Sequence, residues 1–170
     1  MRRSASGAPG GLRPRVLGGS VTGVRIVFGS DEQTEVTDGA SAHLRSQGHE
    51  VLEVAVGEPW PEVGRQVGMA VASGRAERGV VCCWTGTGVS IAANKVPGVR
   101  AALCTDAVTA VGARRYNDAN VLAVGLRLTS APVLAEMLDA FLATEVDDTE
   151  VALVDMVEAG DAMAALRAGR

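Results

Sequence analysis

A chain of 170 residues, 47% of them hydrophobic but only 3% aromatic, can bury one sizeable aliphatic core without disulfides or metal. A net charge of −4 with no basic stripe argues against a nucleic-acid or anionic-membrane surface. Cys82, Cys83 and Cys104 lie in apolar runs rather than in a spaced framework, which points to a reducing cytoplasm and offers no zinc pattern.

In chain order, residues 1–23 combine four arginines with Gly, Ser and Pro and have no apolar stretch long enough for a signal peptide or membrane span. They read as a disordered leader; alternatively the natural start is Val21 or Val24, if valine there reflects an alternative start codon. Residues 24–170 form one domain. Short β-branched runs at Val24–Phe28, Glu50–Val54, Gly79–Cys83, Val99–Cys104 and Val121–Gly125 predict five strands. Helices are expected at Thr34–Gln47, Pro61–Ser73, Val89–Lys95 and Asp106–Arg115, with Gly48 and Gly74 as stops. Two more, Ala131–Ala143 and Thr149–Leu166, close the chain. The alternation predicts a three-layer α/β/α, Rossmann-like domain with a five-stranded, mostly parallel sheet and C-terminal helices.

Ligands of open α/β sheets bind beyond the carboxyl ends of the strands. That rule nominates Gly29-Ser30-Asp31-Glu32, the segment Trp84–Ser90, Thr105-Asp106 and Gly125-Leu126-Arg127. In Thr85-Gly86-Thr87-Gly88 two glycines let the backbone come close to a ligand, and the helix start behind them favours a negative oxygen. The cradle suits a phosphate or an enediolate equally; it is neither a phosphate-binding loop ending in Gly-Lys-Ser/Thr nor a dinucleotide fingerprint. Cys83, at the strand end, is a candidate base or nucleophile. Cys82 and Cys83 also read as two small core residues of a buried strand, the commoner role for a cysteine there, and strand alternation sends them to opposite faces.

The stretch from Gly79 to Cys104, with Cys83-Trp-Thr-Gly-Thr-Gly88 running into Ser90-Ile-Ala-Ala-Asn-Lys95, followed by Tyr116-Asn-Asp-Ala-Asn120, closely resembles ribose-5-phosphate isomerase B and the related galactose-6-phosphate isomerase subunits. The resemblance covers roughly Val24 to Thr144. It implies a cofactor-free, metal-free aldose–ketose isomerase that acts on a small sugar phosphate through a cis-enediolate, as a homodimer or tetramer. By matched position, Cys83 would remove the carbon-bound proton and Thr85 would pass a proton between the two oxygens. The amides from Thr85 through Gly86 and Thr87 to Gly88 would hold the enediolate charge. Asp31 and Asn117 fall where the family contacts sugar hydroxyls, and Arg127 where an arginine meets the phosphate. Glu32, Trp84, Ser90 and Tyr116 complete the candidate binding set.

Departures from the family pattern accompany these matches. The family usually has Asp-His in its first loop, where this chain has Asp31-Glu32, and a ring-opening histidine where it has Tyr116. A phenol with a reference pKa of about 10 shuttles protons poorly at neutral pH, so an acyclic substrate such as a tetrulose phosphate is the natural expectation. Family members carry basic residues near the C-terminus that reach the phosphate across the dimer. Between Arg127 and Arg167 this chain has none, and it has nine acidic residues there. Phosphate recognition is then either reduced to Arg127, with Arg114 or Arg115 as helpers, or replaced. Trp84, where the family usually has glycine, either narrows the pocket or simply packs. The alternative to an active isomerase is a catalytically silent sugar-binding member, or one subunit of a heteromer.

Overall fold

The computed structural model describes residues 23–168, with side chains described through residue 160; the expected leader over 1–23 lies outside them except for Gly23. The elements run β1 Arg25–Ser30, α1 Glu35–Ser46, β2 Glu50–Glu53, α2 Trp60–Ala72, β3 Arg78–Cys83, α3 Thr87–Ala93, β4 Ala101–Cys104, α4 Ala107–Asn117, β5 Val121–Gly125, α5 Ala131–Ala143 and α6 Val151–Ala168. The five strands form one sheet in the order β2-β1-β3-β5-β4. Every pairing is parallel, so the "mostly parallel" expectation sharpens to a sheet that is parallel throughout. No described helix is long and apolar enough to cross a membrane.

Local chemistry sets the element ends. Thr34 caps α1 by accepting the Thr37 amide at 3.2 Å, while the Thr37 hydroxyl accepts the Thr34 amide at 2.9 Å. Asp106 and Thr109 repeat this reciprocal cap at α4. α3 has no side-chain cap: it begins at Thr87, two residues ahead of the expected Val89, because Gly86 turns the chain with φ of 75°. That shift moves Thr87 and Gly88 from the loop into the first helical turn.

Strand alternation divides the core into two layers. On one face α1, α4 and α5 bring Leu44, Ala110, Leu134, Met137 and Phe141 against Ile26, Val80, Cys82 and Leu122. On the other, α2 and α3 bring Val63, Val67, Val89 and Ala93 against Val27, Val81, Cys83 and Val121. The chain steps outward from β1 to β2 and then returns past β1 to β3, so the strand order reverses between β1 and β3. Beyond the carboxyl ends of such a reversal open α/β sheets bind their ligands in a crevice.

Candidate active site

The end of β3 meets that crevice, and the two neighbouring cysteines part there. Cys82 lies in the α1/α4/α5 layer and Cys83 in the α2/α3 layer. Cys82 is fully buried, and burial pushes its thiol far above the usual range, which keeps it neutral. Cys83 is 4% exposed, and its Sγ accepts the Gly86 amide at 3.2 Å. Such a bond strengthens when the acceptor is charged. A pair of backbone bonds fixes the strand end: Leu126 N donates to Cys83 O and Arg127 N to Trp84 O, both at 2.9 Å.

Beyond Cys83 the loop presents its donors. Ser90 is the first residue whose amide finds an acceptor in the helix, Gly86 O at 3.2 Å. The N–H groups of Thr87, Gly88 and Val89 thus have no acceptor within α3 and are available to an oxyanion. The Thr85 and Thr87 hydroxyls, both exposed, lie 2.7 Å apart and can exchange a proton. Gly86 is required twice over: its φ is left-handed, and a Cβ there would sit 2.5 Å from Leu103 Cδ1 and 2.7 Å from Gly125 N.

Asp31 reaches the same edge from β1. Its amide donates to Cys82 O at 3.3 Å, tying the first loop to the end of β3. Its Oδ1 is buried with no hydrogen-bond partner among the described residues. Burial, with the neighbouring Glu32 charge second, raises its carboxyl above the usual range. An unpartnered buried carboxyl oxygen in the crevice is a group prepared for a hydroxyl donor. Ser30, in β1, shapes the turn by donating to Glu32 O at 2.7 Å and accepting the Glu32 amide.

On the β4/β5 side a cleft of about 210 Å³ is lined by Trp84, Thr85, Leu103, Cys104, Thr105, Gly125, Arg127, Leu128 and Thr129. Arg127 is its only cation among the described residues, and Trp84, Leu103 and Leu128 make its walls largely apolar. Thr129 is buried, its hydroxyl donating to Gly125 O at 2.8 Å.

Three expected site residues lie apart from this group. The Ser90 hydroxyl donates to Ala101 O at 3.4 Å, beside Asn94, which exchanges two 2.8 Å bonds with the same residue. Both therefore hold α3 against the start of β4. Tyr116 and Asn117 end α4, which starts after β4 and runs back over roughly 16 Å to the amino edge of the sheet, where Asn120 O accepts from Gly79 N. Within one chain they cannot belong to the Cys83 site. The rest of Asn117-Asp118-Ala119-Asn120 is a clamp: Asp118 takes Arg114 at 2.7 Å and Arg100 at 2.8 Å, and Asn120 joins Gly98 O to the Arg100 amide. Arg114, 1% exposed, is consumed there, so it cannot help with a phosphate.

Trp60, absent from the expected set, lies back at the carboxyl edge, beside the start of α3. It opens α2, and its ring packs on Gly88, where a Cβ would sit 2.9 Å from Trp60 Cδ2. The available signal was a tryptophan between Pro59 and Pro61 in a chain with two tryptophans.

Residues 26–157 match the ribose/galactose isomerase family. The galactose-6-phosphate isomerase subunit LacB of Clostridium acetobutylicum is 41% identical over 114 residues, 65% of this chain and 66% of that protein. The D-erythrulose-4-phosphate isomerase of Pectobacterium atrosepticum is 40% identical over 86 residues, 51% of this chain and 57% of its own length. The match thus spans less than two thirds of either protein. The solved structure of ribose-5-phosphate isomerase B from Clostridium thermocellum superposes with a TM-score of 0.77 at 34% identity, over 82% of this chain and 98% of that one.

Proposed function

The chain belongs to the ribose/galactose isomerase family, and from that premise we propose that it is an aldose–ketose isomerase acting on a small sugar phosphate, with Cys83 as the base. The observation that carries this reading is the Cys83 sulfur, held by the Gly86 amide beside three helix-start amides that lack acceptors. The thiolate takes the C2 proton of the aldose, the C–H electron pair becomes the C1=C2 bond, and the carbonyl electrons move to O1. The amides of Thr87 and Gly88 face that oxyanion. The paired hydroxyls of Thr85 and Thr87 carry the O2 proton to O1. Cys83 then returns its proton to C1, leaving the ketose. Asp31 receives a substrate hydroxyl and Arg127 the terminal anion.

Tyr116 in place of a ring-opening histidine supports a short, acyclic substrate of four or five carbons. Tyr116 and Asn117 can serve the site only from a second copy, so the working form in this reading is a homodimer; free, buried cysteines favour a cytoplasmic setting. Four- to six-carbon aldose phosphates incubated with the protein in deuterated water should isomerise with deuterium entering at the transferred position. Cys83→Ala should lower kcat by about 10²- to 10⁴-fold. Neither isomerisation nor exchange across that panel, or a Cys83→Ala variant at full rate, would overturn the assignment.

A further inference from the structure

We propose that Trp60 is a positioning residue of this site, roofing the first turn of α3 so that the enediolate cradle stays dry. The inference rests on the isomerase reading and adds a side chain to it. Trp60 is 46% exposed, so one face of its indole is open to meet another group. Its other face is committed. The ring lies against Gly88, and any Cβ at that position would collide with Trp60 Cδ2 at 2.9 Å and Cε3 at 3.0 Å. Gly88 is therefore glycine to admit an indole, whereas Gly86 is glycine to turn the chain.

Three features hold the ring in register. Pro59 caps α2 and Pro61 sits in its first turn, which restricts the backbone on both sides of Trp60. One turn on, Val63 and Gly64 are buried, with Val63 in the core layer that contains Cys83. Gly64 in turn lets α2 and α3 meet, since a Cβ there would lie 2.6 Å from Ala92 Cβ and 2.8 Å from Val89 O. The start of α2 is thus packed closely on α3, with Trp60 against the turn that supplies the Thr87 and Gly88 amides and on the sheet face to which Cys83 points.

An apolar plate over hydrogen-bond donors excludes water from them, and in a drier site each donor stabilises developing charge more strongly. A plate that excludes water also limits exchange of the proton carried by Cys83 with solvent before it returns to carbon. Trp60 is thus assigned two linked effects: a faster chemical step and a sheltered proton.

The test measures kcat, KM and the fraction of transferred hydrogen retained when a C2-protiated aldose phosphate is turned over in deuterated water. Trp60→Ala should lower kcat about tenfold with KM within about twofold, and should cut hydrogen retention to about one third of the wild-type value. Trp60→Phe, which restores a flat apolar ring, should recover kcat to within about threefold together with most of the retention. If Trp60→Ala does not fold, Trp60→Leu keeps apolar bulk on Gly88 without the plate and carries the same expectation. A merely structural tryptophan would lower the melting temperature without moving hydrogen retention, and that result overturns the proposal. Wild-type protein inactive on the whole panel would instead sink the isomerase reading, and this proposal with it; an active wild type with unchanged retention in the variants defeats the Trp60 assignment alone.

Discussion

Among the described residues Asp31 Oδ1 is buried with no hydrogen-bond partner, and burial raises the carboxyl's pKa, with the Glu32 charge adding to the shift. A group whose folded-state pKa is raised binds its proton more tightly folded than unfolded. Its contribution to stability is complete below the ordinary aspartate range and is lost as pH climbs through the raised value. Asp31→Asn removes that loss, so the variant should match wild type in acid and exceed it at neutral pH. Urea midpoints measured across that range test this, and a variant less stable at neutral pH refutes it. The same change should weaken turnover, because the acceptor for a substrate hydroxyl is gone. Asp31 and Cys83 were readable from sequence because strand ends place them at the carboxyl edge and the family resemblance supplies their roles. Trp60 was not, since its role depends on a contact between two helices whose packing no local pattern encodes.

At the scale of elements, α4 shows one motif divided between two roles. Asn117-Asp118-Ala119-Asn120 stands out in the sequence, yet most of it anchors the helix end rather than serving the cleft. Asp118 adopts φ of 44° and accepts both Arg114 and Arg100, while Arg114 also donates to Ala119 O at 2.8 Å and Thr144 O at 3.3 Å and lies 5.7 Å from the Phe141 ring centre. Arg114→Met should cost about 3 kcal/mol, since it leaves the buried Ala119 carbonyl and the part-buried Thr144 carbonyl without this donor and half of Asp118's pairing undone. Arg114→Lys should recover little, because one ammonium cannot match the guanidinium fork. Chemical denaturation decides it, and a loss below about 0.5 kcal/mol would show the clamp to be dispensable. Element bounds were legible wherever Thr34, Asp106 or a proline announced them. The start of α3 was not, because a left-handed glycine does the capping and leaves no side-chain signature.

At the scale of the molecule, the fold sets a geometric problem. Cys83 and the amides of α3 stand at the carboxyl edge of the sheet, while Tyr116 and Asn117 stand at the amino edge, bordering a groove with Glu150, Leu153, Val154 and Val157. A sequence motif has no edge, so residues that belong together chemically can be read in one stretch although a single chain holds them apart. The proposed two-fold pairing would resolve this, because in an isologous dimer a residue i that meets residue j of its mate is matched by j meeting i. The proposed homodimer then makes a quantitative prediction. Cys83→Ala and Asn117→Ala homodimers should each be impaired, but after mixing and reassembly half of the dimers are mixed. Each mixed dimer carries one site with both native residues and one with neither, so activity should return to about a quarter of wild type. Recovery is the signature of a shared site. If the mixture shows no more activity than the average of its parents while sedimentation confirms exchange of subunits, Asn117 does not act across the dimer, and the site must be completed from one chain.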